Sequence, residues 1–97
     1  MEKCFYVYLM ASGRNGTLYC GVTSNLARRI HEHRTGAVEG FTSRYAVRHL
    51  VWLEEFGDAP SAIQREKTIK AYPRQWKLNM IEERNPQWCD LFDDLNA

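Results

Sequence analysis

The sequence predicts an α+β fold, a three-stranded and mainly antiparallel sheet in β-β-α-β-α-α order with helices packed against it. Two short runs rich in β-formers are separated by the turn-prone Ser12-Gly13-Arg14-Asn15-Gly16 stretch. A third such run lies near mid-chain, and capped helical segments follow the second and third runs. At 97 residues the chain is expected to form one domain, residues 1–97, so every functional group must share one core.

Cys4 to Met10 carries no charge and reads as a central strand. Asn15-Gly16 leads into Thr17 to Val22, and the two runs pair as an antiparallel hairpin. Thr23-Ser24-Asn25 offers capping oxygens before a helix from Leu26 to Arg34, and Gly36 supplies its stop. Ala37 to Arg48 has no clear period and is expected to be a loop with room for one helical turn. His49 to Phe56 is the third strand. Asp58 caps the next helix, with Pro60 in its first turn and its end near Ala71. Pro73 opens a further helix that stops near Asn85-Pro86, where the residue before proline disfavours helix. Trp88, Leu91, Phe92 and Leu95 give the tail enough apolar surface to dock as a last helical piece.

Hydrophobic residues at 44% and aromatics at 12% suffice for a core and argue against disorder. No apolar run approaches the roughly 18 residues of a membrane helix, and the first residues lack a signal peptide's apolar region. A cytoplasmic protein without membrane association is expected. Cys4, Cys20 and Cys89 are odd in number, widely spaced and without a Cys-x-x-Cys pair, so buried free thiols are expected. Charge is uneven: residues 1–81 hold 12 Lys/Arg against 7 Asp/Glu, and residues 82–97 hold 1 against 5. A basic body with an acidic tail is compatible with a polyanionic partner, and equally with a mixed solvated surface.

Three constellations could carry chemistry. With an even-length loop, Tyr19 pairs with position 10 or 12, which puts Tyr6, Tyr8 and Tyr19 on one side of the hairpin. They serve either as core aromatics with hydroxyls at the rim or as reactive phenols. On the first helix Leu26, Ile30 and His33 form one stripe, with Arg29 a turn before His33 and both beside the buried face. Arg28 and Arg34 are expected to point to water, and His31 and His33 diverge too far around the helix to share a metal. In the helix after Asp58, the apolar positions Ala59, Ala62, Ile63 and Ile69 surround Glu66. A carboxylate in an apolar stripe requires a cation, a hydrogen-bond partner, a metal or an opening to water. An ion pair with Arg29 or Lys70 would satisfy it structurally. Taken together, tyrosine, arginine and a glutamate-bound divalent ion cover the needs of phosphodiester hydrolysis: an activated oxygen nucleophile, charge neutralisation and help for the leaving oxygen.

In order and spacing these residues resemble the GIY-YIG nuclease superfamily over nearly the whole chain. Tyr6-Val7-Tyr8 looks like its first element and Tyr19-Cys20-Gly21 like its second. Gly21 to Leu26 with Arg28-Arg29-Ile30 and His33 looks like the helix bearing its arginine, and Ala62 to Lys67 like the segment bearing its metal-binding glutamate. Trp76-Lys77 and Asn85 to Leu91 are similar to short bacterial standalone proteins of this superfamily, a group resembling the N-terminal domain of excinuclease C. The sequence departs at Tyr6, where the family name has glycine, and at Cys20, where it has isoleucine.

The resemblance implies a divalent-metal-dependent endonuclease acting on DNA. Tyr8 would be the general base, Tyr19 its assistant, Arg29 the transition-state stabiliser, and Glu66 the ligand of one Mg²⁺ or Mn²⁺ ion. His33 and Asn85 match auxiliary active-site positions, and Arg28, Lys67 and Lys70 are the expected substrate-binding residues. A tyrosine ordinarily titrates near ~10, so Tyr8 would need a nearby cation such as Arg29, Lys70 or the metal. No separate DNA-binding domain fits in this length, which leaves room for a protein partner to supply specificity. The competing expectation is a nucleic-acid-binding or protein-recruiting module with the same fold and no turnover.

Overall fold

The computed structural model describes residues 4–36 and 45–92. Strands β1 (Phe5–Ala11), β2 (Leu18–Thr23) and β3 (His49–Phe56) form one antiparallel sheet in the order β2-β1-β3, so the uncharged first run is the central strand. Helices α1 (Leu26–Thr35), α2 (Ala59–Ala71) and α3 (Arg74–Arg84) complete the expected α+β order. Of the loop expected at 37–48, residues 37–44 lie outside the described residues, as does Leu95.

The sheet is covered on both faces, which divides the core in two. Tyr8, Met10, Leu26, Ile30, Val47 and Leu50 pack on the α1 side. Val7, Leu9, Ala11, Cys20, Ala62, Ile69 and Ile81 pack on the side of α2 and α3. Strand alternation explains the split within β1: even positions face α1 and odd positions face the other pair. In β3 the alternation slips. Leu9 pairs with Trp52 but Met10 pairs with Leu50, which leaves Val51 as a one-residue bulge. Val51 and Trp52 then both join the α2/α3 side while Leu50 turns to α1.

Asn85 secures that bulge. Its Nδ2 donates to the Val51 carbonyl at 3.1 Å and to the Cys89 carbonyl at 2.9 Å, and its Oδ1 accepts from Cys89 N at 3.0 Å. The chain that follows runs as a strap over β3 to Leu91; helix begins at Phe92, and the rest of the tail expected to form a last helical piece lies outside the described residues. Trp88 packs on the α2/α3 side, Leu91 and Phe92 pack on the α1 side, and Leu91 N donates to the Leu50 carbonyl at 2.8 Å. Asp90 fastens the strap by accepting from Leu50 N at 3.3 Å and by pairing with Arg34, whose guanidinium also lies 4.8 Å from the Phe92 ring centroid. Arg34 therefore does not point freely to water as expected, because the strap supplies both a carboxylate and a ring for it.

Two further expectations need correction. Ile63 is 43% exposed, since the buried stripe of α2 runs through Ala62, Glu66 and Ile69, an i, i+4, i+7 line that leaves position 63 to one side. All three cysteines are free thiols, but only Cys20 is buried, Cys89 being exposed at the start of the strap.

Asn85→Ala removes three hydrogen bonds and strands the bulge carbonyl, so it should cost about 2–4 kcal/mol of stability, read from the urea midpoint. A loss below ~1 kcal/mol would mean that the bulge and strap hold without this amide.

Candidate active site

The site is built on the α1 face where the hairpin meets that helix. Asn25 starts α1: its Oδ1 accepts from Arg28 N at 3.2 Å, and its own N–H donates to Thr23 Oγ1 at 3.1 Å. Gly36, at φ 76°, ends the helix in the left-handed conformation that suits glycine. This frame fixes the rotation of α1, so Ile30 and His33 face the sheet, His31 faces water and Arg29 sits at the boundary.

Tyr8, Tyr19, Arg29 and His33 converge. Met10 pairs with Tyr19, as an even-length loop requires, so Tyr8 and Tyr19 are diagonal neighbours with ring centroids 6.2 Å apart. The His33 ring lies 5.9 Å from Tyr8 and 5.1 Å from Tyr19. Tyr8 Oη and His33 Nε2 are 3.0 Å apart, both groups fully buried. The Arg29 guanidinium interacts with both phenol oxygens, and Tyr8 is its principal stabilising partner.

Glycine at 21 makes this packing possible. Gly21 is the cross-strand partner of Tyr8, and a Cβ there would lie 2.5 Å from Tyr8 Oη and 2.6 Å from Cζ. The phenol thus occupies the space that a side chain at 21 would fill. The Tyr-x-Gly spacing in the sequence carried this signal, although its steric meaning required the register.

Charge in the cluster is set by burial. Burial pushes the Tyr8 phenol well above its ordinary 10.0, and Arg29, acting in the opposite sense, offsets only part of this. The expected cation is therefore in place, yet the phenol is neutral in the free protein. Burial also pulls His33 down to about 4, with Arg29 reinforcing the shift. A neutral His33 with its proton on Nδ1 presents Nε2 as an acceptor, which gives the bond the direction Tyr8 O–H to His33.

Glu32 is a member of the site that sequence reasoning passed over. Its carboxylate lies 3.5 Å from Arg29 Nη1 and 3.6 Å from Arg28 Nε, the i+3 and i+4 spacings that could have pointed to it. These three residues and Val22 to Asn25 line a cavity of about 380 Å³ between the end of β2 and the first turns of α1.

Glu66 occupies a different place. It sits on α2, on the other face of the sheet, with Lys70 Nζ at 3.4 Å as the ion-pair partner expected of one structural reading. It is the main charge acting on the Cys20 thiol, which burial and then Glu66 push up to about 11. Cys20 lies between Tyr19 and Gly21 on the edge strand β2, so Glu66 and the phenol cluster flank that strand from opposite sides. Among the described residues no group of three or more His, Cys, Asp or Glu side chains could hold a metal ion. Lys67 and Lys70 are exposed beside Glu66, whereas the Asn85 amide is engaged at the β3 bulge.

Comparison with known proteins gives a consistent assignment. The family described as the GIY-YIG catalytic domain matches residues 4–79. A UPF0213 protein of Staphylococcus haemolyticus is 39% identical over 79 residues, covering 81% of this chain and 95% of the relative. A UPF0213 protein of Oceanobacillus iheyensis is 34% identical over 82 residues, covering 84% and 94%. The solution NMR structure of a UPF0213 protein from Bacillus halodurans superposes with a TM-score of 0.55 at 25% identity, covering 88% of this chain and 89% of that one. No helix among the described residues is long and apolar enough to cross a membrane.

Between pH 6.5 and about 4 the unfolded chain binds a proton at position 33 that the folded protein does not. The stability held by neutral His33 is therefore complete above pH 6.5 and declines as pH falls toward 4, by a total of about 2–3 kcal/mol. The difference in urea midpoint between wild type and His33→Gln should shrink over that window; a constant difference would exclude the coupling. Separately, Gly21→Ala should cost about 1–3 kcal/mol through overpacking against Tyr8, read by thermal melting, and an unchanged melt would show that the phenol can step aside.

Proposed function

The chain belongs to the GIY-YIG family, and from that premise we propose that it is a divalent-metal-dependent endonuclease hydrolysing DNA phosphodiester bonds. The observation that carries the proposal is the convergence of Tyr8, Tyr19, Arg29 and His33 beside a cavity edged by two arginines. In this reading Tyr8 is the general base, but it acts through a relay. Its oxygen takes a proton from the attacking water while its own phenolic proton passes to His33 Nε2, so the buried phenol never has to become a free phenolate. His33, uncharged down to about pH 4, is ready to accept it. Tyr19 stands against both rings and holds their orientation.

Arg29 supplies fixed positive charge to the phosphate oxygens as negative charge grows on them, and Arg28, exposed at the cavity edge, binds the neighbouring backbone. A phosphate entering there replaces Glu32 as the partner of both arginines. Members of this superfamily generally use a divalent metal ion. A single carboxylate such as Glu66, completed by waters and phosphate oxygens, suits a hard ion such as Mg²⁺ or Mn²⁺, and binding there requires Lys70 to release it. When bound, such an ion supplies charge neutralisation at the leaving oxygen. Lys67 and Lys70 are then placed to contact the nucleic-acid backbone.

A competing reading is a binding module that does not turn over. The Lys70–Glu66 ion pair and the raised Tyr8 pKa favour it, since both describe a resting state without a charged base or a vacant metal ligand.

The purified protein should nick or cut at least one of supercoiled, branched or single-stranded DNA in Mg²⁺ or Mn²⁺, and EDTA should abolish the activity. Arg29→Ala and Glu66→Ala should each lower the rate by roughly 100-fold or more with the fold retained. Metal-dependent cleavage that survives Glu66→Ala would remove Glu66 from the metal site, and salt-dependent binding without cutting would favour the module.

A further inference from the structure

The junction of α2 and α3 bears an aromatic side chain with no evident structural task. Trp76 is 55% exposed, whereas the other two tryptophans, Trp52 and Trp88, are 3% and 7% exposed. It stands edge-on to Tyr72, ring centroids 5.2 Å apart and planes at 67°, and Tyr72 itself packs partly buried on the core. The indole is thus held from beneath and open to solvent over much of its surface.

Its setting is strongly basic. Residues 61–81 contain five Lys/Arg, at positions 65, 67, 70, 74 and 77, against one Asp/Glu, Glu66; Lys70 pairs with Glu66 and Arg65 with Glu54, which leaves an excess of positive charge at 67, 74 and 77. Arg74 donates to the Asn15 and Gly16 carbonyls, both at 2.7 Å, and pins the junction to the hairpin tip. Lys77 donates to the Lys70 carbonyl at 3.5 Å. Helix α2, which carries Arg65, Lys67 and Lys70, packs on β1 and β2 beside Cys20. Strand β2 carries Tyr19 and Gly21, so the basic surface and the phenol cluster lie on opposite sides of one edge strand.

An exposed indole in a positive field suits a ligand that is flat and apolar on its faces and anionic along its backbone. Unpaired nucleobases on a phosphodiester chain have both properties, because each base offers a π-face and each linkage a charge. A paired duplex offers the same charge but keeps its base faces stacked inside. An acidic peptide offers the charge without a regular flat face.

We propose that Trp76, seated on Tyr72 and lying between Arg74 and Lys77 in the chain, is a stacking platform for an unpaired base of single-stranded nucleic acid. Its role in cleavage rests on the nuclease reading above, in which a strand held at Trp76 runs along the β2 edge toward Glu66 and Arg29. Its role in binding stands independently of that reading.

The test uses the full chain in EDTA, so that binding is read without turnover. Three probes of equal length, about twelve nucleotides, are compared: oligothymidylate, the same backbone with abasic sugars, and a duplex. Because Trp52 and Trp88 are buried, quenching of tryptophan fluorescence reports on Trp76. Oligothymidylate should quench it and bind roughly 5-fold to 150-fold more tightly than the abasic strand. Trp76→Ala should abolish that preference while keeping the salt-dependent binding, and Trp76→Phe should retain part of it. The exposure of Trp76 means that neither variant should shift the melting temperature appreciably. Equal affinity for the base-bearing and abasic strands would overturn the proposal. So would a preference that survives Trp76→Ala, equal quenching by the duplex, or no binding by any probe. Base-dependent binding with no cleavage in Mg²⁺ or Mn²⁺ would keep the platform and reject the nuclease, whereas cleavage indifferent to Trp76→Ala would keep the nuclease and overturn the part of Trp76 in presenting its substrate.

Discussion

The constraint on which the rest of this face depends is the seating of Tyr8 against Gly21. A central strand must bury its side chains on both faces, and a phenol there needs room for its ring and a partner for its hydroxyl. Gly21 gives the room from the neighbouring strand, and His33 gives the partner from the helix. These two contacts fix the hairpin register and the rotation of α1 relative to each other. A slip of one residue in the hairpin would turn Tyr19 away from Tyr8, and a turn of α1 would expose His33 and bury an arginine without a partner. The functional geometry and the stability of this face are therefore one arrangement, and substitutions at the site act on both.

The opposite face depends on the β3 bulge. Without it, strict alternation would send Val51 to the α1 side and Leu50 to the α2/α3 side, and the strap bonds to Leu50 would have no counterpart. Asn85 makes the bulge tolerable by bonding its carbonyl, and it does so from the end of α3, where the chain is about to turn back over β3. Asp90 then joins that return to α1 through Arg34 and to β3 through Leu50 N. The strap thus ties together the helix that carries Arg29 and His33 and the strand that backs Tyr8, which lets a small domain hold a buried polar cluster without a disulfide.

Much of this was legible in the sequence because it rests on local rules. Capping residues located α1 and α2, and period-two alternation with an even loop was enough to put Tyr8 and Tyr19 together. What escaped depends on contacts between distant residues. The bulge at Val51 leaves no mark in a run that reads simply as β-type, and Arg34 resembles a solvated arginine until Asp90, 56 residues later, folds back onto it. Glu66 shows both sides. Its oddity in an apolar stripe was readable from helical period, but which sheet face the stripe meets was not, so the sequence alone could not show that it and Tyr8 flank β2 from opposite sides.

The resting electrostatics connect the two halves. Arg29 is held by Glu32, an anion, and Glu66 is held by Lys70, a cation. In the proposed reaction the incoming phosphate takes the place of the first counter-ion and the metal takes the place of the second, so each internal pair stands in for one component of the loaded site. Neither pair is deeply buried, and exchanges of this kind between exposed partners cost little, on the order of 1 kcal/mol each. The Tyr8–His33 bond differs, since it is buried and both groups are neutral. Substrate binding can rearrange the ionic rim while the proton-transferring pair stays fixed, and this is the order in which a preorganised site should yield: the parts that bind exchange, and the parts that react do not.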